Sequence, residues 1–102
     1  MRYHVYPLKN PKSKTTRYVL DLQSDLLAGL KTRIVAPLRH RSVVDQAEIM
    51  RDLMPAFEIA GETCVLITQE MASYPVSQLG PEIADLTPHC ATIMNALDRL
   101  LS

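Results

Sequence analysis

The three histidines are the residues of this sequence best suited to acid–base chemistry, because imidazole titrates near neutral pH. They are His4 in a predicted strand, His40 in a predicted basic loop and His89 in the first turn of a predicted helix. None of them stands at a metal-ligand spacing from a cysteine, an aspartate or another histidine. The three glycines are isolated turn residues, so the sequence has no glycine-rich phosphate loop. We therefore expect no catalytic residue, no metal site and no cofactor.

Two basic clusters offer the other candidate chemistry. The first comprises Arg33, Arg39, His40 and Arg41, and the second comprises Lys9, Lys12, Lys14 and Arg17. Short charge runs of this kind are usually solvated loops or turns. One set of residues could cleave RNA by general acid–base catalysis, with cations stabilising the phosphorane, if the fold brought its members together. Its members are Arg33, His40, Arg41 and Glu58.

Composition limits the partners that the protein can have. Eleven basic residues balance eleven acidic ones among 102, so the formal charge is zero. A protein that neutralises many phosphates would normally carry a basic excess, although a local basic patch is compatible with this balance. A neutral chain also fits a protein that works with a partner. The composition, 47% apolar and 22% charged, is that of one globular domain covering residues 1–102.

The cysteines and the N-terminus bear on the compartment. Cys64 and Cys90 match no zinc or redox spacing and fall on apolar stripes, so we expect buried free thiols. A disulfide between strand and helix is the alternative, and it would need an oxidising compartment. The first residues contain no apolar core of signal-peptide length, and no apolar run is long enough to span a membrane. We therefore expect a cytoplasmic protein.

Period-two alternation, together with an apolar run at residues 63–68 that is typical of a central strand, predicts a β-rich body. The predicted strands cover residues 2–7, 17–22, 33–38, 56–60, 63–68 and 70–77. Pro37 is expected to end the third strand, and Gly61 with Glu62 to turn the chain between the fourth and the fifth. After the second strand, Ser24 or Asp25 can cap a short turn. Leu26 and Leu27 are adjacent on that turn, and the sequence leaves open whether one is exposed or both are core.

Two stretches have helical periodicity. In residues 87–101, Thr87 is an acceptable N-cap, Pro88 occupies the first helical position, and apolar residues recur at helical intervals from Cys90 onward. In residues 42–54, apolar residues also recur at helical intervals, and Pro55 stops the run. Local propensity therefore predicts a helix in both stretches.

The stretch 71–80, MASYPVSQLG, followed by residues 82–86, closely resembles the CcdB toxin family of bacterial toxin–antitoxin modules. Residues 3–6, 21–27 and 33–38 resemble the same family in order and spacing, and the resemblance covers essentially the whole chain. It implies a mainly β fold, an SH3-like barrel of antiparallel strands with one C-terminal α-helix. It also implies an irregular or extended course for residues 42–54, against local propensity.

The same resemblance implies a function. CcdB proteins are homodimers that poison DNA gyrase by binding its A subunit and trapping the cleaved-DNA complex. A CcdA-like antitoxin neutralises them through a disordered C-terminal segment, and the pair represses its own operon. For this chain the resemblance implies an inhibitor that acts by protein binding and not as an enzyme, with operator DNA as a partner only through the antitoxin.

Gyrase-binding residues can be carried over at matching positions. Leu26 and Leu27 match two adjacent aliphatic residues that contact gyrase, and Asp98 stands where many members have an asparagine. After Leu101, Ser102 falls at the position of an aromatic residue that precedes a final Gly-Ile pair in well-known members. Because truncating such an anchor often costs about 2 kcal/mol or more, we expect gyrase binding to be weakened more than about tenfold unless Leu101 or Leu26 compensates.

Two alternatives stay open from the sequence. Ribonuclease toxins of the MazF/Kid type share the same barrel, so the fold alone does not determine the target. A non-toxic relative that keeps only dimerisation and antitoxin binding is the other alternative.

Overall fold

The architecture is an antiparallel sheet followed by a C-terminal helix. The structure, a computed structural model, describes residues 1–11 and 14–102, and within these residues it has seven strands and one α-helix. The strands are β1 (His4–Tyr6), β2 (Thr16–Asp21), β3 (Thr32–His40), β4 (Ala56–Ile59), β5 (Glu62–Leu66), β6 (Ala72–Pro75) and β7 (Ala84–Asp85). The helix, α1, covers Cys90–Leu101. Lys12, a member of the second basic cluster, lies outside the described residues.

The sheet curls into a nearly closed barrel. Its strand order is β4-β5-β3-β2-β1-β7, and every pairing is antiparallel. Strand β3 is the longest, and along one edge it pairs first with β6, through residues 32–35, and then with β5, through residues 38–40. This architecture confirms the predicted SH3-like barrel with one C-terminal helix. Strand β7, only two residues long, was not predicted.

The core lies inside the barrel and under α1. Cross-strand partners such as Val5 and Leu20, or Leu38 and Leu66, are fully buried on the inner face. Helix α1 adds Ile93 to the same cluster. Full burial of one such side chain is worth roughly 1.5–3 kcal/mol. This cluster therefore fixes the strand register and the position of α1 against the barrel.

The β4–β5 hairpin turns at Ala60 and Gly61, one residue earlier than predicted. Both residues have positive φ, 52° and 81°, so they form the two-residue turn whose twist matches that of antiparallel strands. Glycine adopts this conformation without steric cost, whereas Ala60 is held in it by the pairing of Ile59 with Glu62.

Pro37 lies inside β3 and does not end it, so the predicted end of this strand was wrong. Its carbonyl accepts a hydrogen bond from the N–H of Ile67 at 2.9 Å, on the edge where β6 gives way to β5. In a strand the nitrogen and the carbonyl of one residue point to the same edge. The missing N–H of Pro37 therefore faces a break in the ladder, where it costs no strand pairing.

Residues 42–54 are irregular, so local propensity was wrong here and the expectation from the resemblance was right. Two short 3₁₀ turns, Arg41–Val43 and Gln46–Glu48, are separated by extended Val44. Val44 and Ile49 of this stretch pack against a second apolar cluster that includes buried Val65. Covering the outer face of β5 in this way outweighs the weak helical preference of the segment.

Helix α1 begins at Cys90, after a 3₁₀ turn at Thr87–His89. The N-cap of α1 is His89, without a side-chain cap hydrogen bond, so the prediction of Thr87 as the N-cap was wrong. Ahead of the 3₁₀ turn, the Asp85 carboxylate accepts the N–H of Thr87 at 2.8 Å. Cys90 is exposed, which makes the prediction of a buried thiol wrong at this position and right for Cys64. The helix buries a narrow stripe with Ile93 and Ala96 at its centre, and Cys90 lies beside that stripe. Both thiols are free.

Candidate functional site

Leu26 and Leu27 stand on the 3₁₀ turn Asp25–Leu27 and face outward. Leu26 is 95% exposed and Leu27 is 51% exposed. The hydroxyl of Ser24 accepts the N–H of Leu26 at 3.2 Å, so Ser24 is the cap of this turn. A turn of three residues has no second side to bury, and neither leucine reaches the core. The structure thus resolves the alternative that the sequence left open in favour of exposure.

A buried ion pair supports the base of this turn. The Asp21 carboxylate is 1% exposed and accepts the Arg33 Nε–H at 2.9 Å. Arg33 also donates to the Gln23 carbonyl at 3.1 Å. A pair buried in this way is held by complementary hydrogen bonds, and removing one partner leaves an uncompensated charge. The start of the turn is therefore anchored to the sheet.

The Gln23 side chain ties the two ends of the Leu26–Leu27 loop together. Its amide donates to the carbonyls of Leu27 and Thr32, at 3.2 and 3.3 Å, and its oxygen accepts the N–H of Ile34 at 3.1 Å. Sequence reasoning missed Gln23 as a supporting residue. The polar residues at positions 21 and 23, at a strand end, were the available sign, but they did not show which way the Gln23 side chain turns.

Arg2 joins the Leu26–Leu27 turn to helix α1. Its backbone N–H donates to the Asp25 carboxylate at 3.0 Å, and its guanidinium donates to the Met94 sulfur at 3.3 Å. The hydrogen bond from Arg2 lowers the pKa of Asp25. Nothing in the sequence pointed to Arg2, because its two partners lie 23 and 92 positions away.

One face of α1 continues the apolar surface beyond Arg2. Met94 is 38% exposed and Leu101 is 70% exposed, and Asp98 is exposed between them. At 3.6 residues per turn these three side chains project within about 60° of one another around the helix axis. Met94 contacts Arg2, so this face borders the Leu26–Leu27 turn. Arg2 therefore brings the Met94 end of this helix face next to the base of the Leu26–Leu27 turn.

Ser102 caps the end of α1. Its N–H donates to the Asp98 carbonyl at 2.9 Å, and its hydroxyl donates to the same oxygen. Asp98 and Ser102 also border a groove of about 520 Å³ whose opposite wall carries Arg51 and Asp52. We call Leu26, Leu27, Asp98, Leu101 and Ser102 the candidate gyrase surface.

The residues of the ribonuclease alternative are not brought together. Arg33 and His40 lie seven residues apart on β3, which corresponds to about 23 Å at 3.3 Å per residue. Arg33 is buried against Asp21, and Glu58 is hydrogen-bonded to the Thr63 hydroxyl. Among the described residues, no group of three or more His, Cys, Asp or Glu side chains could hold a metal ion.

The described part of the chain is a small antiparallel barrel with exposed apolar side chains on the Leu26–Leu27 turn and on α1. Residues 2–102 match the family model described as CcdB protein, and the chain therefore belongs to the CcdB family. Membership makes it a toxin of the toxin–antitoxin class. No helix in the described part of the chain has the length and apolar character needed to cross a membrane.

Comparison with solved structures supports the fold. The chain is similar to the Mycobacterium tuberculosis toxin MazF-mt6, with a TM-score of 0.75 and 17% sequence identity. The match covers 96% of this chain and 95% of that one. At this identity the likeness concerns the barrel alone, so it carries no information about the target.

Proposed function

We propose that this chain inhibits DNA gyrase by binding the A subunit of the enzyme. The observation that carries the proposal is the exposure of Leu26 and Leu27 on a turn that Asp21, Arg33 and Gln23 hold in place. Covering a leucine side chain is worth roughly 1.5–3 kcal/mol. Two adjacent leucines that are held in water by a buried network are therefore suited to dock against another protein.

The surroundings of the two leucines fit such an interface. Met94 and Leu101 extend the apolar area along α1, while Arg2 and Asp98 place one charge of each sign beside it. Protein interfaces commonly combine an apolar centre with a polar rim, and arginine and methionine are enriched in them. The inhibitor acts through this contact and not through catalysis.

Family membership supports the other partners in this proposal. The toxin forms a homodimer, a CcdA-like antitoxin neutralises it through a disordered segment, and the pair represses its own operon. We place this system in the cytoplasm, where gyrase acts. In this proposal the antitoxin, and not the toxin, recognises the operator sequence.

Gyrase assays test the proposal. The purified chain should inhibit supercoiling by several bacterial gyrases and accumulate cleaved DNA, and added antitoxin should reverse both effects. The same preparation should leave bulk RNA intact, whereas a ribonuclease toxin would degrade it. Absence of inhibition and of binding to every A subunit tested would sink the proposal. Normal growth on induced expression, combined with that absence, would favour the non-toxic relative.

A further inference from the structure

The fold brings two basic clusters that are separate in the sequence into one depression. Lys14, just before β2, and Arg17, in β2, line it together with His40 at the end of β3 and Ser42 in the following turn. The depression has a volume of about 260 Å³. The clusters meet because β2 and β3 are antiparallel neighbours, with Thr16 opposite Arg39.

The ring of His40 is oriented so that one nitrogen can donate to a ligand. Nδ1 accepts the backbone N–H of Ser42 at 3.1 Å and lies 2.7 Å from the Ser42 hydroxyl oxygen. A backbone N–H can only donate, so Nδ1 carries no proton in this arrangement and the ring proton lies on Nε2. Acting as the cap of the Arg41–Val43 turn therefore leaves Nε2–H of His40 available as a donor.

Most of the cationic groups here lack an acidic partner. Among the described residues, Lys14, Arg41 and Arg51 make no ion pair, whereas Arg17 donates through one nitrogen to both Glu62 oxygens, at 3.1 and 2.9 Å. Arg41 and Arg51 line the adjoining depression, of about 440 Å³. The cationic groups thus form a row across two neighbouring depressions. We call Lys14, Arg17, His40, Arg41 and Arg51 the basic surface.

The chemistry of this row favours phosphate groups. Its members are N–H donors, four of them lysine or arginine side chains with a positive charge, and such groups bind phosphate oxygens. Apart from the His40 imidazole, no phenylalanine, tyrosine or tryptophan is among the described residues that line either depression. Proteins that bind single-stranded nucleic acid usually stack the bases on several aromatic rings. The basic surface does not offer such a series of rings, so it is less suited to a single strand.

We propose that the basic surface binds the phosphate backbone of double-stranded DNA without reading its sequence. The proposal is independent of gyrase inhibition. It adds a direct contact between this chain and DNA to the operator contact made by the antitoxin. His40 and Arg33 lie at opposite ends of β3, about 23 Å apart. The His40 end of the basic surface is therefore remote from the Leu26–Leu27 turn, whereas Arg51 faces Asp98 and Ser102 across their shared groove.

The expected affinity is low and depends on salt. With four permanent cations in the row, the slope of log K against log salt should be no steeper than about −3.6, and nonspecific dissociation constants at physiological salt are typically about 10⁻⁴–10⁻⁶ M. The antitoxin-free chain, titrated into a labelled 20-base-pair duplex of arbitrary sequence between about 50 and 200 mM salt, should show this behaviour in fluorescence anisotropy.

Four variants make the test specific. Lys14→Glu should weaken duplex binding roughly threefold to tenfold and make the salt slope shallower by about one. Glu62→Gln should strengthen binding, because it releases Arg17 from its carboxylate. His40→Asn should weaken binding while an asparagine still caps the following turn. Lys31→Glu is the control: it makes the same charge change, but Lys31 directly precedes β3, at the end remote from His40. It should leave duplex binding unchanged.

Several outcomes would overturn the proposal. They are the absence of duplex binding at low salt, equal weakening by Lys14→Glu and Lys31→Glu, and tighter binding of a single-stranded oligonucleotide of the same length. Unchanged melting temperatures of the variants would show that a lost affinity is not lost folding. Gyrase inhibition by Lys14→Glu should stay at the level of the unmodified chain, so failure of this proposal and failure of the gyrase proposal are distinguishable.

Discussion

The guanidinium of Arg2 donates to the sulfur of Met94 at 3.3 Å, across 92 positions of sequence. The backbone N–H of the same residue donates to Asp25, so Arg2 holds the Leu26–Leu27 turn and α1 together. The next residue, Tyr3, has φ 68°, and its ring lies 4.9 Å from the Arg2 guanidinium. A non-glycine residue in this left-handed conformation costs of order 1 kcal/mol or more, so surrounding contacts must maintain the bend that places Arg2.

Replacing Arg2 should weaken binding of the gyrase A subunit while the protein stays folded. Arg2→Ala removes the contacts with Met94 and the Tyr3 ring, each worth about 1 kcal/mol or less at an exposed site. We expect affinity for the gyrase A subunit to fall roughly threefold to tenfold. Surface-plasmon titration would measure this change, with Arg99→Ala on the same helix as the control. An equal effect of the two substitutions would contradict the role of Arg2.

Loss of the buried ion pair should destabilise the fold. Asp21→Asn leaves the buried Arg33 guanidinium with only the exposed Asp25 carboxylate, at 3.5 Å, as a counter-charge. Breaking a buried pair typically costs about 3–5 kcal/mol. For a domain of this size that corresponds to a drop of roughly 10–25 °C in melting temperature. Calorimetry checks the prediction, and Arg17→Gln, which breaks the exposed pair with Glu62, should change the melting temperature by only a few degrees.

The two thiols should differ sharply in reactivity. Cys64 is fully buried and burial raises its pKa, whereas Cys90 is exposed. Because the thiolate is the reactive species, a disulfide reagent should modify one thiol in the native protein and two in denaturant. Cys90→Ser should abolish the native reaction, and Cys64→Ser should leave it unchanged. Reaction of both thiols in the native state would contradict the burial of Cys64.

The contact between Asp85 and Thr87, just before α1, should contribute to acid sensitivity. The Thr87 hydroxyl and N–H lower the pKa of Asp85 below its ordinary value of 3.8. A lowered folded pKa adds stability that is fully present above about pH 4 and is lost as pH falls through the folded value. Asp85→Asn should therefore reduce the difference in melting temperature between pH 7 and pH 3. An unchanged difference would contradict this contribution.

Most of the fold could be predicted from the sequence because the apolar residues that recur with strand periodicity are the ones buried in the core. Alternation located β1, β2 and β4, a continuous apolar run located β5, and the apolar stripe located α1. Propensity failed over residues 42–54, where packing on Val65 determines the backbone. Pro37 was predicted to end β3 because proline cannot donate a hydrogen bond to a neighbouring strand. It lies inside β3 because one edge of the strand has no ladder pairing at this point, between its pairing with β6 and its pairing with β5.

The candidate site was predictable only in part. Leu26, Leu27 and Asp98 were found through family resemblance, which supplies positions but neither exposure nor support. Arg2 and Gln23 were missed because their roles depend on contacts that a linear pattern does not encode. The basic clusters were visible in the sequence, but the pairing of β2 with β3 was needed to join them.

Direct binding of the gyrase A subunit by matched leucine and valine variants tests the central claim most sharply. Leu26→Asp places a charge at the 95% exposed residue of the turn, and Val43→Asp makes the same kind of change at a residue 51% exposed beyond the other end of β3. We expect Leu26→Asp to weaken binding in isothermal titration by about tenfold or more. Val43→Asp should bind like the unmodified chain. Full affinity in Leu26→Asp, with both variants folded, would contradict the assignment of this surface.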